Sequence, residues 1–447
     1  MSVKKFRNLT CRGTVILLVL VTAAVLSASL PLTKATDELA SSANCPGHAG
    51  ETYLLAGGLN GTWFRTTQWP KLSQIYLSSH SITKLTVTPQ PGDVWSGAWN
   101  GSQWLISGAG GANTDPRTSD PFIYLYDGCK QIVAGTQYLW DPQASWHDGD
   151  IFASSYNGTQ WLVSGLGDGI LPGTLYRSNH MALGTFDGYN FTDLSGNVPN
   201  QKDYILYANA WTGEYWLVGG GYRTRGVLFT YDGHKITNVS NKLKSAVPDF
   251  GSVQRIAWNG DYWLVGGIGF LAKYDGKNFT NLTPLLNDVL ETRYALSTAC
   301  CNAVSALAWN GETWMIGGGA PIAVLGQSTA WLATYNATGF ADISNTLPTY
   351  ISNPTHNSSI LAISYTSSSW ILGGYANGRG ILLSYANGAT TDMSNLVGDD
   401  MSTVNFVGVG SNPSASIPEY AYPSLIAAGS VLLALVVFRR KPAHAKA

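Results

Sequence analysis

Charge is what this chain has least of. Lys, Arg, Asp and Glu make up 12% of its 447 residues and leave a formal net charge of −1, about half the charged share of an ordinary globular protein. No basic stripe is present to neutralise phosphates, which excludes a nucleic-acid partner. Histidine is sparse too: His80, His147, His180, His234 and His356 stand isolated from one another and suggest no copper-binding set. Of the five cysteines, Cys11 lies in an apolar leader, and Cys45, Cys129, Cys300 and Cys301 lack the CxxC spacing of a zinc site. No metal and no cofactor is therefore expected. In an oxidising compartment those four cysteines are disulfide candidates, and their pairing is open. The missing charge is replaced by Ser, Thr, Asn, Gly and Tyr, which solvate a surface by hydrogen bonding and make it insensitive to pH.

Apolar runs long enough to span a bilayer occur at the two ends. Residues 14–32 carry no charge and follow Lys4, Lys5, Arg7 and Arg12, the pattern of a signal peptide or N-terminal anchor over 1–35. A linker over 36–47 follows. Residues 422–438 precede Arg439, Arg440 and Lys441, so a transmembrane helix is expected there, with a cytoplasmic basic tail over 439–447 and a linker over 411–421 before it. The intervening chain is then extracytoplasmic. Sequons at Asn60, Asn100, Asn157, Asn190, Asn238, Asn278, Asn281, Asn336 and Asn357 suit a glycosylated exterior. The order Pro418-Glu419-Tyr420, apolar span, basic cluster resembles the sorting tails of prokaryotic surface proteins, the Pro-Glu-Pro type of bacteria and the Pro-Glu-Phe-Gly type of archaea. Tyr420 and Ala421 stand where the archaeal pattern has Phe and Gly. The resemblance implies an archaeal surface protein.

Between the ends the sequence repeats. WNGSQWLISG (99–108), YNGTQWLVSG (156–165), WTGEYWLVGG (211–220), WNGDYWLVGG (258–267), WNGETWMIGG (309–318) and YTSSSWILGG (365–374) align without gaps, and HAGETYLLAG (48–57) matches in its last half. The anchors Tyr53, Trp104, Trp161, Trp216, Trp263, Trp314 and Trp370 fall 47 to 57 residues apart, the length of a propeller blade. Within a repeat, SVQRIAW, YWLVGG, FLAKY and NFTNLT read as four strands. Asn259-Gly260 and Asp275-Gly276 read as two-residue hairpins with positive φ at both central residues. Paired glycines suit a place where backbones crowd towards the axis or a bulge re-aims the chain. The first repeat lacks a strand before His48 and the last leaves over STVNFVGV, 402–409. That orphan should pair beside 52–57 and close the ring. The expected fold is all-β, a seven-bladed β-propeller over 48–410.

Recurring tryptophans read as packing between blades, whereas Trp63, Trp69, Trp140, Trp146 and Trp331 break the pattern and are candidates for ligand contact, Trp140 and Trp146 above all. Both kinds of tight turn fall on one side of the ring. The connections after strands two and four fall on the other, and these long, irregular loops are expected to carry function. Arg65, Arg117, Arg177, Arg223, Arg225 and Arg379 lie there, able to hold a carboxylate, a sulfate or an acidic sugar. Glu291, Arg293 and Tyr294 are the candidate catalytic group. A Tyr activated by Glu opposite arginines resembles sialidases, and implies glycoside hydrolysis through a Tyr nucleophile. Glycine pairs with YDG at 126, 231 and 274 and FDG at 186 resemble kelch-type and galactose-oxidase-type repeats, which implies recognition of a protein or glycan. The sequence thus points to a membrane-anchored recognition or scaffold module for a glycan or surface protein, with a glycoside hydrolase or a structural envelope component as alternatives.

Overall fold

Val253–Asn281 shows how one repeat folds. β-Branched and aromatic residues favour four short strands, Val253–Trp258, Trp263–Gly267, Phe270–Tyr274 and Phe279–Asn281, which pair antiparallel in chain order. The second strand is buried along its whole length, which is why it reads as a continuous apolar run. The computed structural model describes residues 51–60, 69–77, 82–85, 92–111, 119–128, 131–133, 148–170, 177–199, 204–222, 225–290, 302–319, 329–353, 357–397 and 401–411. Residues 14–32 and 422–438, all five cysteines and the group Glu291, Arg293 and Tyr294 lie outside the described residues. Among the described residues no helix is long and apolar enough to cross a membrane.

The same four-stranded order begins at Gly92, Asp148, Ile205, Ala303 and Ser358, the last two sheets being joined by one bridge between Gly319 and Ser359. First strands lie against first strands. Gly92–Trp99 touches Asp148–Tyr156, and contact passes through Ile205–Trp211, Val253–Trp258, Ala303–Trp309 and Ser358–Tyr365 to Thr403–Ser411, which touches Gly92–Trp99 again. The circle closes because Thr403–Ser411 is the first strand of the sheet that holds Thr52–Asn60, Trp69–Tyr76 and Ile82–Leu85, with Thr52 opposite Ser411 and Leu59 opposite Thr403.

Each first strand bulges at one place. The register slips between Val94 and Ser96, Ile151 and Ala153, Leu206 and Ala208, Val253 and Arg255, Val304 and Ala306, and Ile360 and Ala362, and it skips Asn405 opposite Gly57 and Gly58. A bulge kinks its strand, and here it drives a carbonyl into the neighbouring strand. A Cβ on Gly58, Gly108, Gly165, Gly220, Gly267, Gly318 or Gly374 would collide with the carbonyl oxygen of Thr403, Asp93, Asp150, Ile205, Ser252, Ala303 or Ser359. The other glycine of the pair serves the next sheet. A Cβ on Gly57, Gly219, Gly266, Gly317 or Gly373 would come within 2.8 Å of Val94, Val253, Val304, Ile360 or Val404.

The tight turns differ from the two-residue hairpins expected. Trp258 pairs with Trp263 and Tyr274 with Phe279, which leaves four-residue loops. Positive φ occurs at Gly260 and Gly276 and not at Asn259 or Asp275. The side chain of the first loop residue is what counts: Asn259 Oδ1 accepts the N–H of Asp261 and Tyr262, and Asp275 Oδ1 those of Lys277 and Asn278. Two-residue turns with both φ positive occur instead at Asn377-Gly378 and Asn387-Gly388. The first of these corrects a second expectation, since it joins strand two to strand three, as Ile268-Gly269 does in its own sheet. Connections on that side are therefore not uniformly long. After strand four the short helices Ser240–Ala246 and Thr283–Val289 bury Leu243 and Leu286.

Trp104, Trp161, Trp216, Trp263, Trp314 and Trp370 are buried. Trp331 is buried as well, packed over Gly318, so it belongs to the core and not to a ligand surface. Gly220→Ala has no room against the Ile205 carbonyl, and we expect a loss of about 1–3 kcal/mol of stability in urea unfolding; an unchanged midpoint would show that the strand can move aside.

Candidate functional site

The bulges place one extra residue per first strand next to the axis of the ring: Trp95, Phe152, Tyr207, Gln254, Ser305, Leu361 and Asn405. In three successive sheets this residue is aromatic. The rings of Trp95 and Phe152 lie 5.1 Å apart, and those of Phe152 and Tyr207 also 5.1 Å apart. All three remain partly exposed although they sit at the centre of the ring, so solvent reaches this arc. Across from it, the Arg255 guanidinium donates to the Leu361 carbonyl at 2.9 Å and to the Gln254 carbonyl at 2.8 Å. Desolvation lowers its pKa to about 10.

Two residues before the bulge stand Asp93 and Asp150, at equivalent places on adjacent strands. Their strands are held level by Ser96 and Ser154, whose hydroxyls are 2.9 Å apart and whose Ser154 N–H donates to Ser96 Oγ. Asp93 is 6% exposed and its Oδ1 accepts no hydrogen bond. Burial, and then the charge of Asp150, hold the Asp93 carboxyl well above the usual carboxylate range. Burial raises the Tyr207 hydroxyl, reinforced by Asp150 and Tyr222. Asn405 is 3% exposed; its Nδ2 donates to the Val94 carbonyl at 3.3 Å, while its Oδ1 has no partner. A buried acceptor without a donor is costly. On neighbouring first strands, two buried acceptors without donors and two carboxyls thus lie within a few residues of the partly exposed aromatic arc. Among the described residues no three His, Cys, Asp or Glu side chains stand together as metal ligands.

The arginines singled out by spacing are less gathered. Arg225 and Arg379 are the first residues of third strands in separate sheets, opposite Tyr222 and Ala376. Arg379 lies near Tyr350, whose hydroxyl donates to Asp392 at 2.7 Å. Arg177 opens a strand, and its side chain, with Arg65, Arg117, Arg223, Trp63, Trp140 and Trp146, lies outside the described residues, as does the side chain of Trp69. The axial residues escape a search for motifs, yet a signal exists. Trp95, Phe152 and Tyr207 each stand nine positions before the anchor tryptophan, and Asp93 and Asp150 eleven before.

Several sequons prove to be structural motifs. Asn100 and Asn157 close turns with Oδ1, which accepts two backbone N–H groups and the hydroxyl of Ser102 or Thr159, and Asn336 accepts from Thr338 in the same way. At the end of strand four, Asn238 and Asn281 accept the N–H of Ser240 and Thr283, whose hydroxyls accept from the backbone of Leu228 and Leu271. Asp193, Asp342 and Asp392 do the same for Ser195, Ser344 and Ser394, so this place needs an acceptor of either kind. Asn190, Asn278 and Asn357 are exposed, and Asn60 ends a strand.

No protein-family model matches the sequence, and no curated protein matches it. Among solved structures the chain is similar to a 6-phosphogluconolactonase-like protein of Bacteroides uniformis, with TM-score 0.47, 11% identity, and 81% of this chain against 100% of that one. It is similar to the acylaminoacyl peptidase of Pyrococcus horikoshii, with TM-score 0.44, 9% identity, and 76% of this chain against 52% of that one. It is also similar to the β-propeller domain of the Trilobed protease of Pyrococcus furiosus, with TM-score 0.42, 10% identity, and 76% of this chain against 97% of that one. At these scores the likenesses say nothing of chemistry; the pairing order and the closed circle of first strands decide the fold. The chain is a β-propeller.

Asn238→Asp removes a sequon and keeps the acceptor, so stability should stay within about 0.5 kcal/mol. Ser240→Ala, which orphans the buried Leu228 N–H, should cost about 1–3 kcal/mol in the same denaturant series. Asp93 supplies a pH test. Folding raises its pKa above the ordinary 3.8, so its contribution is fully present below that value and is lost as pH rises towards the folded pKa. Asp93→Asn should therefore unfold at higher urea than the parent at neutral pH, with the gap closing towards about pH 4; a gap that widens on acidification would contradict the assignment.

Proposed function

We propose that the protein is a recognition module of the cell surface. In this reading it is a seven-bladed propeller held outside the membrane by 422–438, with a glycan or a surface protein as partner. Six repeats plus the sheet closed by Thr403–Ser411, each with its glycine under a bulged carbonyl, support the count of seven. The two terminal apolar runs support the location, and the sorting-tail and kelch resemblances agree with a surface-bound binding protein. The observation that carries the reading is the axial mouth, where Asp93 and Asn405 hold buried acceptors without donors beside a partly exposed aromatic arc. Such a mouth on a rigid ring is a place to hold a ligand. Arg225 and Arg379, which open third strands at that end, would border a large partner, and Arg65, Arg117, Arg177 and Arg223 are proposed to join them.

Hydrogen exchange on the full-length protein in a neutral detergent, with a glycan panel and with surface proteins from the same membrane, tests this. Protection is expected at 92–95, 148–152 and 204–207. Protection confined to the turns at 100–103, 157–160 and 259–262 would reverse the functional side, and no protection by any partner would leave a structural envelope role instead.

A further inference from the structure

We propose that Arg255 seats the carboxylate of an acidic sugar on the axis of the ring, with the body of the sugar laid on the adjoining aromatic arc. This rests on the recognition reading above and names its ligand. The Arg255 guanidinium reaches the Leu361 carbonyl, two first strands further round the circle, so its side chain runs past Ala303–Trp309 on the axial side. The corresponding residues of the other sheets, the first after each bulge, are Ser96, Ala153, Ala208, Ala306, Ala362 and Phe406. The other sheets thus join the ring without a charge at this place. Arg255 donates to two backbone carbonyls, those of Gln254 and Leu361, and no carboxylate among the described residues pairs with it. Desolvation alone shifts its pKa. Two of the five guanidinium N–H donors are used in this way, and the others are left for a counter-ion.

A desolvated guanidinium without an acid is costly, and a carboxylate matches its planar fork with parallel hydrogen bonds. Arg255 and Gln254 are partly exposed, as are Tyr207, Phe152 and Trp95. Tyr207 lies on the strand beside that of Arg255, and Phe152 packs on Tyr207. A ring with apolar C–H faces and a carboxylate at its edge meets both features at once, an aromatic face for its body and forked donors for its charge. Sulfate or phosphate would use the donors and leave the arc bare, and a neutral sugar would do the reverse. Asp150 and Asp93 stand two and three first strands away from Arg255 and do not pair with it.

Isothermal titration of the full-length protein in a neutral detergent with sodium glucuronate, glucose and sodium sulfate provides the test. Glucuronate should saturate one site and bind about tenfold or more tighter than glucose or sulfate. Arg255→Met and Tyr207→Leu should each weaken glucuronate about tenfold or more, and Arg255→Lys, which keeps the charge but not the fork, should recover only part of the loss. In urea unfolding, saturating glucuronate should raise the midpoint of the parent and leave that of Arg255→Met unchanged, and the same curves show that the variants are folded. Should Arg255→Met fail to fold, hydrogen exchange on the parent decides, with protection by glucuronate expected at 204–207 and 254–256. Equal binding of glucuronate and glucose, sulfate as tight as glucuronate, undiminished affinity in Arg255→Met, or absence of that protection each overturns the inference and leaves Arg255 as a brace between sheets. If glucuronate fails while a partner still protects 92–95 and 148–152, the acidic sugar is wrong and the recognition reading stands; protection confined to the turn side removes the recognition site itself.

Discussion

A carbonyl pressed against a glycine is the contact on which the ring depends. In every sheet the first strand kinks, and its carbonyl occupies the space where any other residue of the second strand would carry a Cβ. The glycine before it, where present, lets a β-branched residue of the next sheet approach as closely. One pair of small residues therefore fixes both the bend within a sheet and the spacing between sheets. The aromatic residue a few positions earlier on the same strand, Trp in six sheets and Tyr53 in the seventh repeat, is buried. Trp104 also ties neighbouring sheets, since its Nε1 donates to Tyr53 at 3.1 Å, as Trp314 does to Tyr262 at 3.0 Å.

The same kink creates the axial site. A bulge leaves one residue without a partner across the ladder, and that residue is freed from pairing to face neighbours around the axis. Repeats that are nearly identical over their Trp-to-Gly stretch thus differ widely nine positions earlier, where Trp, Phe and Tyr give way to Gln, Ser and Leu. Uniform positions build the ring, and unequal ones give its mouth an aromatic, acidic side and a side that carries Arg255.

Much of the architecture was legible because it is written in residues with one structural use. Glycine pairs announced crowded backbone, and the leftover strand 402–409 announced its pairing beside 52–57. The turn type was misread because Asn-Gly is ambiguous: it serves two-residue turns through backbone freedom and four-residue turns through its side-chain acceptor. Thr212 and Thr366, which fill the same place with a hydroxyl that accepts the same N–H groups, were the clue to the second use. The sequons were ambiguous for the same reason, since Asn238 and Asn281 share their role with aspartates that bear no glycan. The site itself was not legible. Arginines in unequal loops give no register, and a bulge shifts which face a residue occupies without leaving a mark in composition.

The pairing of Thr52 with Ser411 brings the entry and exit of the described ring side by side, at the end of the strands where the four-residue turns lie. Asp93 and Asp150 stand at the opposite end of theirs. The chain thus enters and leaves the described ring on the turn side, and the two carboxyls stand at the far end from both.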